Sequence, residues 1–206
     1  MKPLTAFACE LICLLAVTPA AGQTDLYDNG PTNGTIIAWT INFGNAVSDT
    51  FTLNSNSTVN GLTFAAWLFP GDVLETVEVA ITSSEFGGTT YFDQTVSFTA
   101  GTCFSNGGFN VCNETGSFPG VSMNAGTYWL NLENAVVNNG DPVYWDENNG
   151  PSLSSETISG SIGSESFTIL GSSGTSTGTT PEPSSIILFA SGAIAVFGFI
   201  RHKYPA

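Results

Sequence analysis

Val77, Val79 and Ile81 alternate with Thr76, Glu78, Ala80 and Thr82, the period-two pattern of a strand with one buried face. Similar short runs are Ile36 to Phe43, Asp49 to Leu53, Leu62 to Phe69, Thr90 to Thr99, Tyr128 to Val137 and Ser166 to Leu170. Thr, Val, Ile and aromatic residues dominate them, and these side chains suit a pleated surface. The breaks carry turn chemistry: Asn29-Gly30-Pro31, Asn33-Gly34, Asn60-Gly61, Pro70-Gly71-Asp72, Gly87-Gly88, Asn106-Gly107-Gly108 and Asn139-Gly140-Asp141-Pro142. No helical apolar period of useful length interrupts this series. The pattern predicts an all-β domain, a two-sheet β-sandwich of jelly-roll or immunoglobulin-like type, with a barrel as the alternative.

The two ends of the chain follow different rules. Lys2, the apolar stretch Leu4 to Val17 and the small residues Thr18 to Gly22 predict a secretory signal peptide over residues 1–22, cleaved after Ala20 or Gly22. Glu10 is an unusual charge inside that apolar stretch. Cys9 and Cys13 would leave with it, so two of the four cysteines remain in the mature chain. The domain is expected over residues 23–170. Residues 171–180 form a Gly/Ser/Thr stretch without apolar content, which predicts a flexible linker. Then come Pro181-Glu182-Pro183, an apolar run from Ile186 to Ile200, and the basic cluster Arg201, His202 and Lys203. A helix over residues 184–200 would be roughly 25 Å long at ~1.5 Å per residue, the short end of what crosses a bilayer. Positive charge on one flank predicts that this flank stays cytoplasmic and that everything before Pro181 lies outside.

This tail resembles the PEP-CTERM sorting signal of Gram-negative bacteria: the triplet, the hydrophobic helix directly after it and the closing basic cluster, about 27 of the 206 residues. The resemblance implies recognition by an exosortase, a membrane-embedded transpeptidase-like cysteine protease, and removal of the tail near the triplet. It also implies a host that secretes exopolysaccharide, with the cargo on the cell surface or in the matrix. A plain single-pass anchor is the alternative. The domain itself resembles no family on these grounds.

Charge narrows the chemistry. The formal net charge is −14, and fifteen of the seventeen acidic residues fall between Asp25 and Glu165, a stretch without Lys, Arg or His. No salt bridge can form there, so apolar burial, hydrogen bonds or bound cations must stabilise the fold. Nucleic acid is excluded as a partner for want of positive charge. An acidic polysaccharide would be repelled unless a divalent cation bridged the two. Without His or Lys there is no Ser-His-Asp triad, no Schiff base and no His-ligated metal. A glycosidase-type carboxylate pair remains, but fifteen acids make some pair inevitable, and no catalytic residue is assigned.

Three local features remain. Cys103 and Cys112, nine positions apart around a turn, predict a disulfide in an exported chain. The loops Tyr27-Asp28-Asn29-Gly30-Pro31 and Trp145-Asp146-Glu147-Asn148-Asn149-Gly150-Pro151 resemble each other and offer oxygen ligands for calcium from Asp28, Asp146 and Glu147, with Asp141 nearby in sequence. Ordinary Asx turns are the plainer reading of both loops. Trp145, beside those acids, is the expected stacking platform if the domain binds sugar. The expectation is therefore an exported, non-enzymatic surface protein, structural or adhesive beside extracellular polysaccharide. The alternatives are a calcium-dependent carbohydrate-binding module and a carbohydrate-active enzyme.

Overall fold

The computed structural model describes residues 23–174. The predicted signal peptide, the linker beyond Gly174, the Pro181–Pro183 triplet, the expected helix and the Arg201–Lys203 cluster lie outside the described residues. Within them the chain forms thirteen strands and no helix: β1 (Thr24–Asp28), β2 (Ala38–Thr40), β3 (Ala46–Leu53), β4 (Ser57–Leu68), β5 (Leu74–Ser84), β6 (Gly87–Asn106), β7 (Phe109–Met123), β8 (Gly126–Val137), β9 (Tyr144–Asn148), β10 (Ser154–Glu156), β11 (Gly160–Ile162), β12 (Ser164–Glu165) and β13 (Phe167–Ser173). The all-β expectation holds.

The strands form one antiparallel sheet that curls on itself, in the order β1-β13-β4-β7-β6-β5-β8-β3-β10-β11. The long strand β6 makes the curl possible. Its first half pairs with β5, from Ser84↔Gly87 to Thr76↔Ser97, and its second half pairs with β7, from Phe98↔Gly116 to Asn106↔Phe109. One strand therefore belongs to two ladders, and its register slips between Ala100 and Cys103. Such irregularities bend a strand and increase its twist. The inner face collects the core. Val59, Leu62, Phe64 and Leu68 of β4 and Phe167 and Ile169 of β13 join one cluster with Val47, Phe51 and Leu53 of β3, Val77, Val79 and Ile81 of β5, and Leu130 and Leu132 of β8. Burying each such side chain is worth about 1.5–3 kcal/mol.

Several expectations shift. Ile36 to Phe43 yields only the three residues of β2; Ile36 and Phe43 are each 67% exposed, and Phe43 turns to φ 56°. Asn60-Gly61 is no turn but lies inside β4, at a slip between Val59 and Gly61. A Cβ at Gly61 would lie 2.8 Å from the Gly116 carbonyl, so glycine permits the close approach of β7. The strand β7 carries no alternating signal, yet it lies between β4 and β6. Its Gly116 leaves space for the Phe98 ring, which a Cβ would approach to 2.7 Å. Pairing here follows neighbours rather than propensity. The last strand runs into the Gly/Ser/Thr stretch, with Gly171, Ser172 and Ser173 paired to Val59, Thr58 and Ser57. Backbone pairing needs no apolar side chain, so composition alone ends the domain too early.

Asn106-Gly107-Gly108 does form the β6–β7 hairpin, with Gly107 and Gly108 at φ 57° and 90°, as a two-residue turn with both φ positive requires. Behind it Cys103 and Cys112 face each other as a registered pair, Cα atoms 4.1 Å apart, joined by a disulfide. Closing this loop stabilises the fold by roughly 2.5–3 kcal/mol in the chain-entropy model. Replacing both cysteines by alanine should lower the urea midpoint by a corresponding amount, with a denaturant slope that is equal or slightly larger because the unfolded chain is freed. Peptides containing Cys103 and Cys112 should separate after non-reducing proteolysis only when reductant is added.

Candidate functional site

One edge of β4 serves two partners in succession. Residues Ser57 to Phe64 pair with β13, whereas Ala66 and Trp67 pair with Trp145 and Tyr144 of β9. Between them the edge forks: Ala65 N–H donates to Ser166 O (3.1 Å), and Ser166 N–H donates to Asp146 O (2.8 Å). Beyond the fork β12 runs along β9, placing Ser164 opposite Asn148 and Glu165 opposite Glu147. Directly opposed residues share a face, so two carboxyl side chains stand side by side. The other edge of β9 carries β2, and Trp39 donates its indole N–H to Glu147 Oε2 (2.8 Å).

A third acid arrives from β3. Asp49 Oδ2 accepts the Glu165 backbone N–H (2.7 Å), and its Oδ1 accepts that of Thr50 (2.6 Å). Asn29, just after β1, closes the back of the fork. Its Nδ2 lies 2.6 Å from Glu165 O and 2.7 Å from the hydroxyls of Ser152 and Ser164, while its Oδ1 accepts from Tyr27 O–H (2.7 Å). On the opposite face of β9, Asp146 Oδ1 accepts the Trp67 indole N–H (2.7 Å). Asp49 and Glu165 are both 0% exposed, and Asp146 is 1% exposed. Asp146 Oδ2 and both Glu165 oxygens are buried with no hydrogen-bond partner.

Burial dominates the electrostatics. It pushes Asp49 up to about 7, against the opposing donors Ser152, Glu165 and Thr50. Glu165 is raised well above the usual range by burial and then by the charges of Asp49, Glu147 and Asp146. Asp146 is raised to about 6 by burial, with Trp67 pulling down and Glu147 pushing up. Tyr27 rises to about 12 by burial, reinforced by Asp49 and Asp28. On β7, Glu114 is also 0% exposed, neither of its oxygens has a partner, and burial raises it to about 7.

The two look-alike loops do meet. Asn148 donates from Nδ2 to Asn29 O and Gly30 O, each at 2.9 Å, and the loops line an open depression of ≈ 450 Å³. Each closes as an Asx turn, Gly30 N–H on Asp28 Oδ1 (2.9 Å) and Gly150 N–H on Asn148 Oδ1 (2.8 Å). Of the expected calcium ligands, Asp146 and Glu147 are at the fork. Asp28 is exposed at the end of β1, and Asp141 lines a different depression with Asn42 and Phe43. Among the described residues, no three carboxyl, thiol or imidazole groups are arranged to hold a metal.

Trp145 requires a correction. It is 0% exposed, donates its indole N–H to Ser166 O (3.0 Å) and meets Phe64 and Phe167 edge-on. An indole enclosed on all sides offers no stacking face. The aromatic depression lies instead among Ile36, Ala38, Trp67, Phe109 and Tyr144, ≈ 230 Å³ in volume. Asp49 and Glu165 were not singled out from sequence, although strand parity carries the signal. Asp49 shares its parity with Val47, Phe51 and Leu53, and Glu165 with Phe167 and Ile169. No protein-family model matches the chain, and no curated protein matches it.

Carboxyls raised in the folded state but ordinary in the unfolded state make the native protein bind more protons. Their stabilising contribution is complete below about pH 4 and is lost as pH rises through about 7. Urea midpoints should therefore fall from pH 5 to pH 8. A Glu114→Met substitution, which removes one such acid at similar volume, should flatten that fall and exceed the wild type above pH 7. Parallel profiles for the two proteins would show that Glu114 does not titrate on folding.

Proposed function

We propose that this chain is an exported cell-surface protein, sorted through its PEP-CTERM-like tail and released from the membrane by an exosortase. Its β domain, a two-sheet sandwich in this reading, serves a structural or adhesive role in the extracellular polysaccharide matrix. The observation that carries the proposal is the ordered tail: Pro181-Glu182-Pro183, the apolar run Ile186–Ile200, then Arg201-His202-Lys203. The domain supports it in two ways. A disulfide between registered strands suits an oxidising compartment. Asp49 and Glu165 are enclosed, so a glycoside has no path to that pair, which supports a non-enzymatic reading.

Expression in a host with an active exosortase tests this. Intact-mass measurement should give a mature chain ending near residues 181–183, and Pro181→Ala with Pro183→Ala should keep the chain full length in the membrane. A wild-type chain that stays full length there would defeat the sorting proposal in favour of a plain anchor.

A second reading, carbohydrate binding, is favoured by the aromatic depression. Phe109 and Tyr144 are half-buried in it, with ring centroids 5.9 Å apart. Affinity electrophoresis through neutral polysaccharide should show retardation that Tyr144→Ala abolishes; equal mobility with and without polysaccharide would reject this reading.

A further inference from the structure

The fork carries a carboxyl that no donor reaches. Glu165 is fully buried and neither of its oxygens has a hydrogen-bond partner, whereas Asp49 accepts the backbone N–H groups of Glu165 and Thr50. The groups around Glu165 are acidic or neutral. Glu147 stands directly opposite it on β9, and Asp146 of the same strand and Asp49 of β3 add their negative charge. From β1 comes Tyr27, pushed up to about 12 and so uncharged at neutral pH, while Asp28 is exposed and the Asn29 amide donates to Glu165 O. On β10, the Glu156 carboxylate is taken up by the Ile158 and Ser159 N–H groups of its own loop. The strands β2, β4 and β13 have no titratable side chain. A carboxylate at Glu165 would lack donors and sit among like charges, whereas a neutral acid avoids both costs.

The strand that presents this acid is also the shortest described, the two residues of β12. Its ties are the pairing with β9, its own N–H on Asp49 and its C=O under Asn29. Few backbone bonds need break for it to leave, and such segments open at a free energy below that of the whole domain. We propose that Glu165 is a pH-sensitive latch: as a neutral acid it keeps β12 seated against β9 and Asp49, and its ionisation releases β12 while the rest of the sheet stays folded. The wall between the two look-alike loops opens with it, because Asn29 grips Glu165 O while its own C=O is held by Asn148. The closed form binds a proton that the open form, with Glu165 in water, releases in the ordinary carboxyl range. Opening is therefore suppressed in acid and favoured as pH rises, about 10-fold per pH unit until Glu165 ionises in the closed form too. Burial, then the charges of Asp49, Glu147 and Asp146, hold the closed-form carboxyl well above its usual range, which carries this slope past neutrality. The latch does not depend on the sorting proposal.

Hydrogen exchange of the full-length protein, read by mass spectrometry and expressed relative to the intrinsic rate at each pH, tests this. Between about pH 7.5 and 9 the amides of residues 164–166 should lose protection about 10-fold per pH unit in the wild type. In Glu165→Gln, which keeps the size and removes the ionisable proton, their protection should stay level. Glu165→Met serves the same purpose if the glutamine variant fails to fold. Low urea separates local from global opening, because its effect scales with the surface exposed. Exchange at residues 164–166 should barely respond to urea, whereas exchange in β5 and β8 should respond fully. Level protection in the wild type over this range, or an equal loss in the variants, would remove Glu165 from the role. A urea response at β12 equal to that of β5 would show that only whole-domain unfolding exposes it, and the latch would fall.

Discussion

A folded domain with fifteen carboxyl side chains and no basic one has no ion pair available to it. Every other feature of the structure answers to that constraint. Charge repulsion opposes compaction at neutral pH, so the interior must supply the favourable terms through apolar burial. The core is accordingly one cluster shared by β3, β4, β5, β8 and β13. At three acids neutral donors stand where cations would: the Trp67 indole on Asp146, the Trp39 indole on Glu147, and backbone N–H groups on Asp49, whereas Glu114 and Glu165 have none. Donors of this kind stabilise a carboxylate without neutralising it, and that distinction separates Asp49 from the donorless Glu165.

The curl and the fork are two results of the same economy of strands. β6 changes partner halfway along its length and thereby carries the sheet around the core. β4 changes partner at Ala65, and the space opened between β9 and β12–β13 is where polar groups gather. A fork in a sheet interrupts the regular ladder, so its backbone groups seek side-chain partners. Asn29 and Asn148 supply them, on Glu165 O, Asn29 O and Gly30 O. The buried amides and the buried acids thus share a cause in topology.

Period-two alternation made β3, β5, β8 and the core of β4 legible in the sequence, and two cysteines around Asn106-Gly107-Gly108 made the hairpin legible. The strand β7 was not, because Gly116, Pro119 and Gly120 read as breaks; Gly116 is there to receive Phe98, a partner eighteen positions away in sequence. Asn60-Gly61 misled for the related reason that a close strand approach and a turn both select glycine. At the site, the likeness of the two Asn-Gly-Pro loops foreshadowed their meeting, and Asp146 and Glu147 were found through it. Asp49 and Glu165 were not, since an acid on an inward parity looks like any exposed acid until neighbouring strands define which face is inward. Trp145 failed as a platform by the same rule, because its parity matches Trp39 across β2 and its ring turns to the core.

Charge also connects the domain to the tail it precedes. Apart from Lys2, all the cations of the chain are Arg201, His202 and Lys203. If the tail is removed near Pro181 and the signal peptide is lost, the released chain has carboxylates but no basic side chain. Such a polyanion would be repelled by acidic polysaccharide and drawn to it only through a shared divalent ion.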